Sequence, residues 1–342
     1  MERMTGKQRF LAALRGEPVD RPPAASITSV ISYQLMDKVA SHFPAANTEP
    51  EAMATLASGA HEVMGFDSVM PIFSIAQEAT ALGCKVDWSS TSMMPTPTSH
   101  PWEDRNVEMK LPDGFPDSLL NDKYVKCAIE AIRLLKKHFK DEVMILGKVM
   151  GPWTLSYHLN NIQEFLYDAL MNPDRVRRSL DTLKQVPIVF AKAQLEAGAD
   201  AIVWADHATG DLVRNTMYRD FLLPVHQELV PQVPGPVILH CCGPTTDRIQ
   251  FFREAGFDAF HFESQVAPER AIAEAQDKMK LTGNINNPTT LFLGSLTEVR
   301  IEAQRAIDAG IHIISPECAV PLQTKLENLI EIVKTCEDNR KG

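Results

Sequence analysis

The sequence predicts an α/β fold, a TIM-like (β/α)8 barrel, on three observations. Short apolar runs of strand character recur eight times, near residues 24–28, 68–73, 143–149, 200–205, 236–240, 257–262, 279–283 and 311–315. Most are followed by a stretch of helical periodicity, and repeated strand–helix units call for a parallel sheet. Turns such as Gly65-Phe66-Asp67, Gly198-Ala199-Asp200 and Gly310-Ile311-His312 lead back to the next strand. Eight such units suggest a closed barrel. A doubly wound open sheet is the alternative, and no G-x-G-x-x-G follows the first strand to support a dinucleotide fold. The 342 residues are read as one barrel domain over 1–342, with an N-terminal helical extension and an insertion near residues 80–122.

In chain order, Thr5 and Gln8 have the spacing of a capping box, and residues 7–15 follow as a short amphipathic helix that Gly16 and Pro18 end. Residues 53–64 are helical in pattern. Residues 84–122 lack helical periodicity, and Ser, Thr, Pro and Met dominate 89–101, which reads as a long insertion or active-site cover. The Met and Trp residues between Trp88 and Trp102 read as loop packing, with a lid as the alternative. Residues 124–139 form a helix, and Gly151-Pro152-Trp153-Thr154 is expected to be the loop after the third strand. Residues 173–198 read as one helical stretch kinked at Pro187. Helices at 221–230, 246–255, 268–276, 297–309 and 326–335 alternate with the remaining strands.

Hydrophobic content of 44% and charged content of 23% are those of an ordinary soluble protein. A net charge of -10 argues against nucleic acid or an anionic membrane as the main partner. No apolar run reaches membrane-spanning length, and residues 1–16 lack a signal-peptide core. Six cysteines scattered over so long a chain do not form a disulfide framework, and a cytoplasmic, reducing setting is expected. There, thiols near a histidine read as a metal site.

The strand ends carry such groups. Along residues 237–242 side chains alternate, so His240 and Cys242 share one face and Cys241 points to the other. Alone, this pair is as well explained by a buried His and a structural Cys. In a barrel, however, functional groups collect at the carboxyl ends of the strands. His240 and Cys242 end the fifth, Glu263 ends the sixth, Asn284 ends the seventh, and Cys318 lies in the loop after the eighth. One nitrogen and two sulfur donors suit Zn2+ with an open fourth position. Asp206 and His207 end the fourth strand and are expected to orient a ligand or touch substrate, a plain hydrogen bond being the alternative. Lys148, within a strand, would meet an anion such as a sulfonate if inward, or make an ion pair at the barrel floor. Asn284 would bond substrate or cap a helix. Cys84, Cys127 and Cys336 lack ligand spacing and are read as structural.

The chain resembles the methylcobamide:coenzyme M methyltransferases, a branch of the uroporphyrinogen decarboxylase superfamily. The resemblance runs nearly end to end. It rests on residues 4–21, on Gly151-Pro152-Trp153-Thr154, His240-x-Cys242-Gly243 and Gly283-Asn284, and on Ser315-Pro316-x-Cys318-Ala319-Val320-Pro321. The resemblance implies a TIM-like barrel in which His240, Cys242 and Cys318 hold zinc and Glu263 fills the fourth position until a substrate thiol replaces it. Bound thiolate would then attack the methyl group of a methylcobamide, leaving Co(I) and a thioether. The chain has no Asp-x-His-x-x-Gly cobalamin motif, so the corrinoid is expected on a separate corrinoid protein docking over the barrel mouth. The acceptor implied is a small thiol, coenzyme M, with tetrahydrofolate or another thiol as alternatives. A tetrapyrrole decarboxylase is disfavoured. The Arg-Gln-Ala-Gly-Arg signature of the decarboxylases is replaced by Ala25-Ser26-Ile27-Thr28-Ser29, and the Cys318 loop stands where they have a Gly-His-Gly type loop. A non-catalytic corrinoid-binding accessory protein is a further alternative.

Overall fold

Apolar runs buried on both faces pair as parallel strands, because only a sheet covered by helices on one side and filled on the other removes them from water. The computed structural model describes residues 2–341. Its sheet has seven parallel strands in chain order: β1 (Ser68–Val69), β2 (Met144–Met150), β3 (Ala201–Ala205), β4 (Val237–His240), β5 (Ala259–His261), β6 (Lys280–Ile285) and β7 (Ile313–Pro316). The architecture is the predicted TIM-like barrel, with helices between the strands.

The expected first strand is reduced to a single parallel bridge between Ala24 and Ile314. It still spans the seam between β7 and β1. Ile314 N–H donates to Pro23 O (2.9 Å), Ala25 N–H to Ile314 O (2.8 Å) and Asp67 N–H to Ala24 O (2.7 Å). Pro22 and Pro23 have no N–H to give a ladder. Side chains take over instead: the Asp67 carboxylate accepts from Ala24 N–H (2.9 Å) and Ser68 Oγ from Ser26 N–H (2.8 Å). Asp67 also accepts from Arg9 Nη1 at 2.6 Å and Arg21 Nη1 at 2.9 Å, and Arg9 reaches on to Asp20 at 2.6 Å. All four charged groups are buried.

The capping box forms as expected, starting the helix Gly6–Arg15. Elsewhere the helices depart from the sequence reading in instructive places. The strand expected over 68–73 stops at Val69, because Pro71 cannot donate to a ladder. The stretch 173–198 is two helices, Pro173–Leu183 and Gln185–Ala197. Pro187 is the reason: its ring crowds the carbonyl four residues earlier, that of Leu183, where the first helix ends. Gly151-Pro152-Trp153-Thr154 is not a loop but the start of the helix Pro152–Asn160, with Pro152 at its first turn. The insertion is mostly irregular. Its Trp88 and Trp102 are buried, and Trp88 stacks on Tyr124 with ring centroids 3.9 Å apart, as loop packing requires, whereas Met93 is exposed.

Breaking the seam should be costly. Asp67→Ala leaves two buried arginines without their shared carboxylate, and a loss of about 3–5 kcal/mol is expected, read by urea denaturation. A loss under about 1 kcal/mol would mean the seam holds without it.

Candidate metal centre

Register brings the functional groups together. Ala205 pairs with His240, His240 with His261, and His261 with Thr282. Residues just beyond this row therefore emerge on one rim. His240 Nε2 lies 3.2 Å from Cys242 Sγ, Cys242 Sγ lies 3.4 Å from Cys318 Sγ, and Cys318 Sγ lies 3.5 Å from His240 Nε2. Ideal tetrahedral zinc with two thiolates and an imidazole places its donors about 3.6–3.8 Å apart. The triangle is slightly contracted from that, and the donor set fits the ion. Burial holds the His240 imidazole well below its ordinary pKa, helped by His261, His207 and Lys148, so it is the neutral form that can ligate. The hydrogen bond with the Cys318 sulfur, and then burial, push the Cys242 thiol up, and the same hydrogen bond pulls the Cys318 thiol down. The pair therefore shares its protons unevenly.

Local backbone fixes each donor. Gly243 has φ +77°, and a Cβ there would lie 2.2 Å from Thr209 Oγ1, so only glycine lets the chain turn directly after Cys242. Glu263 is half-buried at the same rim, and its carboxylate joins Cys242 and Cys318 in a cluster whose donor atoms lie within 4.8 Å of one another. Burial raises its pKa, partly offset by a backbone hydrogen bond to Gly243. Asn284 directs Nδ2 to the carbonyls of Glu263 (3.3 Å) and Val266 (3.0 Å). It caps no helix, and it fixes the loop that carries Glu263.

His207 groups with His240 and Cys242, donor atoms again within 4.8 Å. Asp206, in contrast, does not face the donors. Its carboxylate is buried and accepts from Thr154 N–H (2.7 Å), Thr154 Oγ1 (3.1 Å) and His226 Nε2 (3.0 Å). It caps the helix Pro152–Asn160 from the neighbouring strand, satisfying an amide that has no partner within its own helix. Lys148 is buried and inward. Burial lowers its pKa to about 8, while Glu78 and Cys318 act on it through space. Glu78 is buried too, accepts from Met150 N–H (2.8 Å), and is pushed up to about 7 by burial.

Sequence reasoning missed Glu317. Its buried carboxylate accepts from Ser264 N–H (2.9 Å) and Asn287 N–H (2.7 Å), tying the Cys318 loop to the loops after β5 and β6. No periodicity marks such a residue; its place beside Cys318 was the only signal. Glu78, Thr154 and His226 were missed for the same reason, since their partners are distant in sequence. Cys84 and Cys127 are buried with thiols pushed up to about 12, as inert structural thiols are.

A parallel barrel with this rim defines a class. The chain matches the family model described as uroporphyrinogen decarboxylase (URO-D) over residues 5–339, and it belongs to that family. Within it, the chain is 32% identical to the methylcobamide:CoM methyltransferase MtaA of Methanosarcina barkeri, over 97% of this chain and 98% of that one. It is 27% identical to a methylated-thiol–coenzyme M methyltransferase of Methanosarcina mazei, over 98% and 90% of the two chains. A solved methyltransferase from Methanosarcina mazei superposes with a TM-score of 0.92 at 30% identity, covering 98% of this chain and 99% of that one. No helix of the described residues is long and apolar enough to cross a membrane.

Two outcomes test the geometry. Glu317→Ala should loosen both loops and lower zinc affinity about 10–100-fold in chelator competition; unchanged affinity would show that the carboxylate does not hold the donors. Glu78 is raised from 4.5 to about 7, so the folded state holds its proton where the unfolded state has lost it. The contribution of Glu78 to stability should therefore fall as pH rises from 4.5 to about 7, while buried histidines such as His158 and His261, lowered to about 4, contribute with the opposite sign. The difference between Glu78→Gln and wild type isolates the Glu78 part: the variant should be stabilised in the metal-free protein at pH 8 by about 3 kcal/mol and little at about pH 4, read by denaturation at both.

Proposed function

We propose that this chain is a zinc-dependent methyltransferase that moves a methyl group from a methylcobamide, carried by a separate corrinoid protein, to the thiol of coenzyme M. The observation that carries the reading is the convergence of His240 Nε2, Cys242 Sγ and Cys318 Sγ within 3.5 Å at the barrel mouth. The kinship to relatives named as methylcobamide:CoM methyltransferases supports the same chemistry. Zinc held by those three residues would keep the acceptor as a thiolate at neutral pH, where a free thiol with a pKa near 8.5 is mostly protonated.

The chain's own groups then have distinct tasks. His240, Cys242 and Cys318 supply one neutral and two anionic donors. Glu263, whose carboxylate groups with Cys242 and Cys318, would be available as a further anionic donor when the acceptor is absent. It is half-buried, and lost hydration raises its pKa and disfavours its charged form. Lys148 lies inside the barrel near Cys318, a buried cation with no hydrogen-bonded carboxylate, and it is suited to the anionic end of coenzyme M. Asn284 and Glu317 hold the loops in place from behind.

The test is direct. Protein purified without chelator should hold about one zinc per chain and methylate coenzyme M from methylcobalamin, with tetrahydrofolate as a competing acceptor. Cys318→Ala should lose most of the metal, and its rate should fall more than about 100-fold. Methylation of tetrahydrofolate alone would move the acceptor, and zinc unaffected by Cys318→Ala would remove the site. Lys148→Met should raise KM for coenzyme M about tenfold, the worth of one charge-assisted hydrogen bond, and leave KM for an uncharged thiol unchanged.

A further inference from the structure

The Gly151-Pro152-Trp153-Thr154 segment has no part in the donor triangle, yet it is built around one residue beside that triangle. Thr154 Oγ1 accepts from His207 N–H at 2.9 Å. Tyr157 Oη donates to His207 O at 3.3 Å and itself accepts from Trp153 Nε1. Both backbone polar groups of His207 are thus pinned by side chains of one helix. Behind them stands a buried chain. Asp206 accepts from Thr154 and from His226 Nε2, and the other ring nitrogen of His226 is 2.8 Å from Tyr218 Oη. Gly151 is glycine because a Cβ there would sit 2.2 Å from Asp206 Oδ2.

The ring of His207 is left free by all this. Neither nitrogen has a protein hydrogen-bond partner, and neither is fully shielded from solvent, while buried nitrogens of His158, His240 and His261 are. The ring stands edge-on to His240, centroids 5.4 Å apart and planes at 88°. Its donor atom lies within 4.8 Å of those of His240 and Cys242. The three tight donors are 3.2–3.5 Å apart, so His207 borders the triangle rather than completing it. Glu263 groups with Cys242 and Cys318, so the two residues border different edges of the triangle.

We infer that His207 is a catalytic-site contact for the acceptor, donating an imidazole N–H to the acceptor's sulfur in the fourth position, and that the Gly151–Thr154 segment is its positioning device. The inference rests on the thiol methyltransferase reading. Its chemistry discriminates substrate from product. A thiolate sulfur is an anionic acceptor and makes a charge-assisted hydrogen bond. On methyl transfer the sulfur lone pair forms the S–C bond, and the pair of the broken Co–C bond stays with the corrinoid. The product is a neutral thioether, a weak acceptor. His207 therefore holds the thiol and lets the thioether go, and it moves no proton itself.

Calorimetric titration of zinc-loaded protein with coenzyme M and with its S-methyl thioether tests this. His207→Phe is expected to weaken thiol binding about tenfold, while zinc content and thioether binding stay at the wild-type level. Thr154→Val should weaken the thiol less, and Thr154→Ser should restore it. In the Co2+-substituted protein, the absorption change on adding thiol should persist in His207→Phe at higher thiol concentration. Equal thiol affinity in His207→Phe and wild type overturns the inference. So does a fall in zinc content, which would make His207 a ligand, or an equal loss of thioether binding, which would make it a packing residue. If wild-type, zinc-loaded protein binds no thiol, the methyltransferase reading itself fails.

Discussion

Ala205, His240, His261 and Thr282 lie on one hydrogen-bonded row across β3 to β6, and every strand of the sheet runs the same way. That constraint makes the rest of the site possible. The side-chain period of a strand is two, so a residue two places beyond the row faces the same side as its predecessor. Those residues are Cys242 and Glu263, just past the ends of β4 and β5, and Asn284 within β6. A one-residue slip in any of these pairings would turn its group away from the barrel interior. Cys318 is the exception, five places past Ile313, which pairs with Thr282 on the same row. It has to be carried inward by a loop, and there Glu317 supplies the tie to the neighbouring loops that strand pairing supplies elsewhere.

Much of this was legible in the sequence because the informative residues sit on regular elements. The alternation of His240, Cys241 and Cys242 follows from strand geometry alone, and Cys241 is buried and stands outside the donor groups that His240 and Cys242 join. Eight strand-like runs indicated the barrel, and seven form strands while the first survives as a seam contact. What stayed hidden has one physical cause. Asp206 resembles a site residue by its position at a strand end, yet its carboxylate serves the start of the helix Pro152–Asn160, whose first residues, with Gly151 before them, read as a loop in the sequence. Lys148 was visible as a charge in a strand. Its buried neighbour Glu78 was not, since they are 70 residues apart and meet only in the fold. Hydrogen bonds that join distant segments leave no periodic trace.

Charge organises the interior as well. Two thiols, Glu263, Glu78 and Lys148 all lie within or beneath the rim, and burial raises the pKa of both carboxyls while lowering that of the ammonium. In each case the charged form is disfavoured by lost hydration. A multivalent cation at the donor triangle would reverse that balance for the anionic groups. The imidazoles behave in the complementary way: His240, His261 and His207 are all held neutral by burial.

The seam closed by residues 23–26 has a consequence for how the chain acquires its structure. Its partners are Asp67 and Ile314, so the first strand-like segment cannot complete its hydrogen bonding until nearly the whole chain exists. Arg340 and the Lys341 amide also reach back to Asp20, at 2.7 and 2.8 Å. During synthesis β1 to β6 can pair in order as each emerges, because neighbours in the sheet are neighbours in sequence. Ala24, Ala25 and Ile27, fully buried at the end, stay uncovered until the last strand arrives. Closure is thus a late, long-range step that follows local assembly. The interval before it is when the nascent protein most needs protection from aggregation.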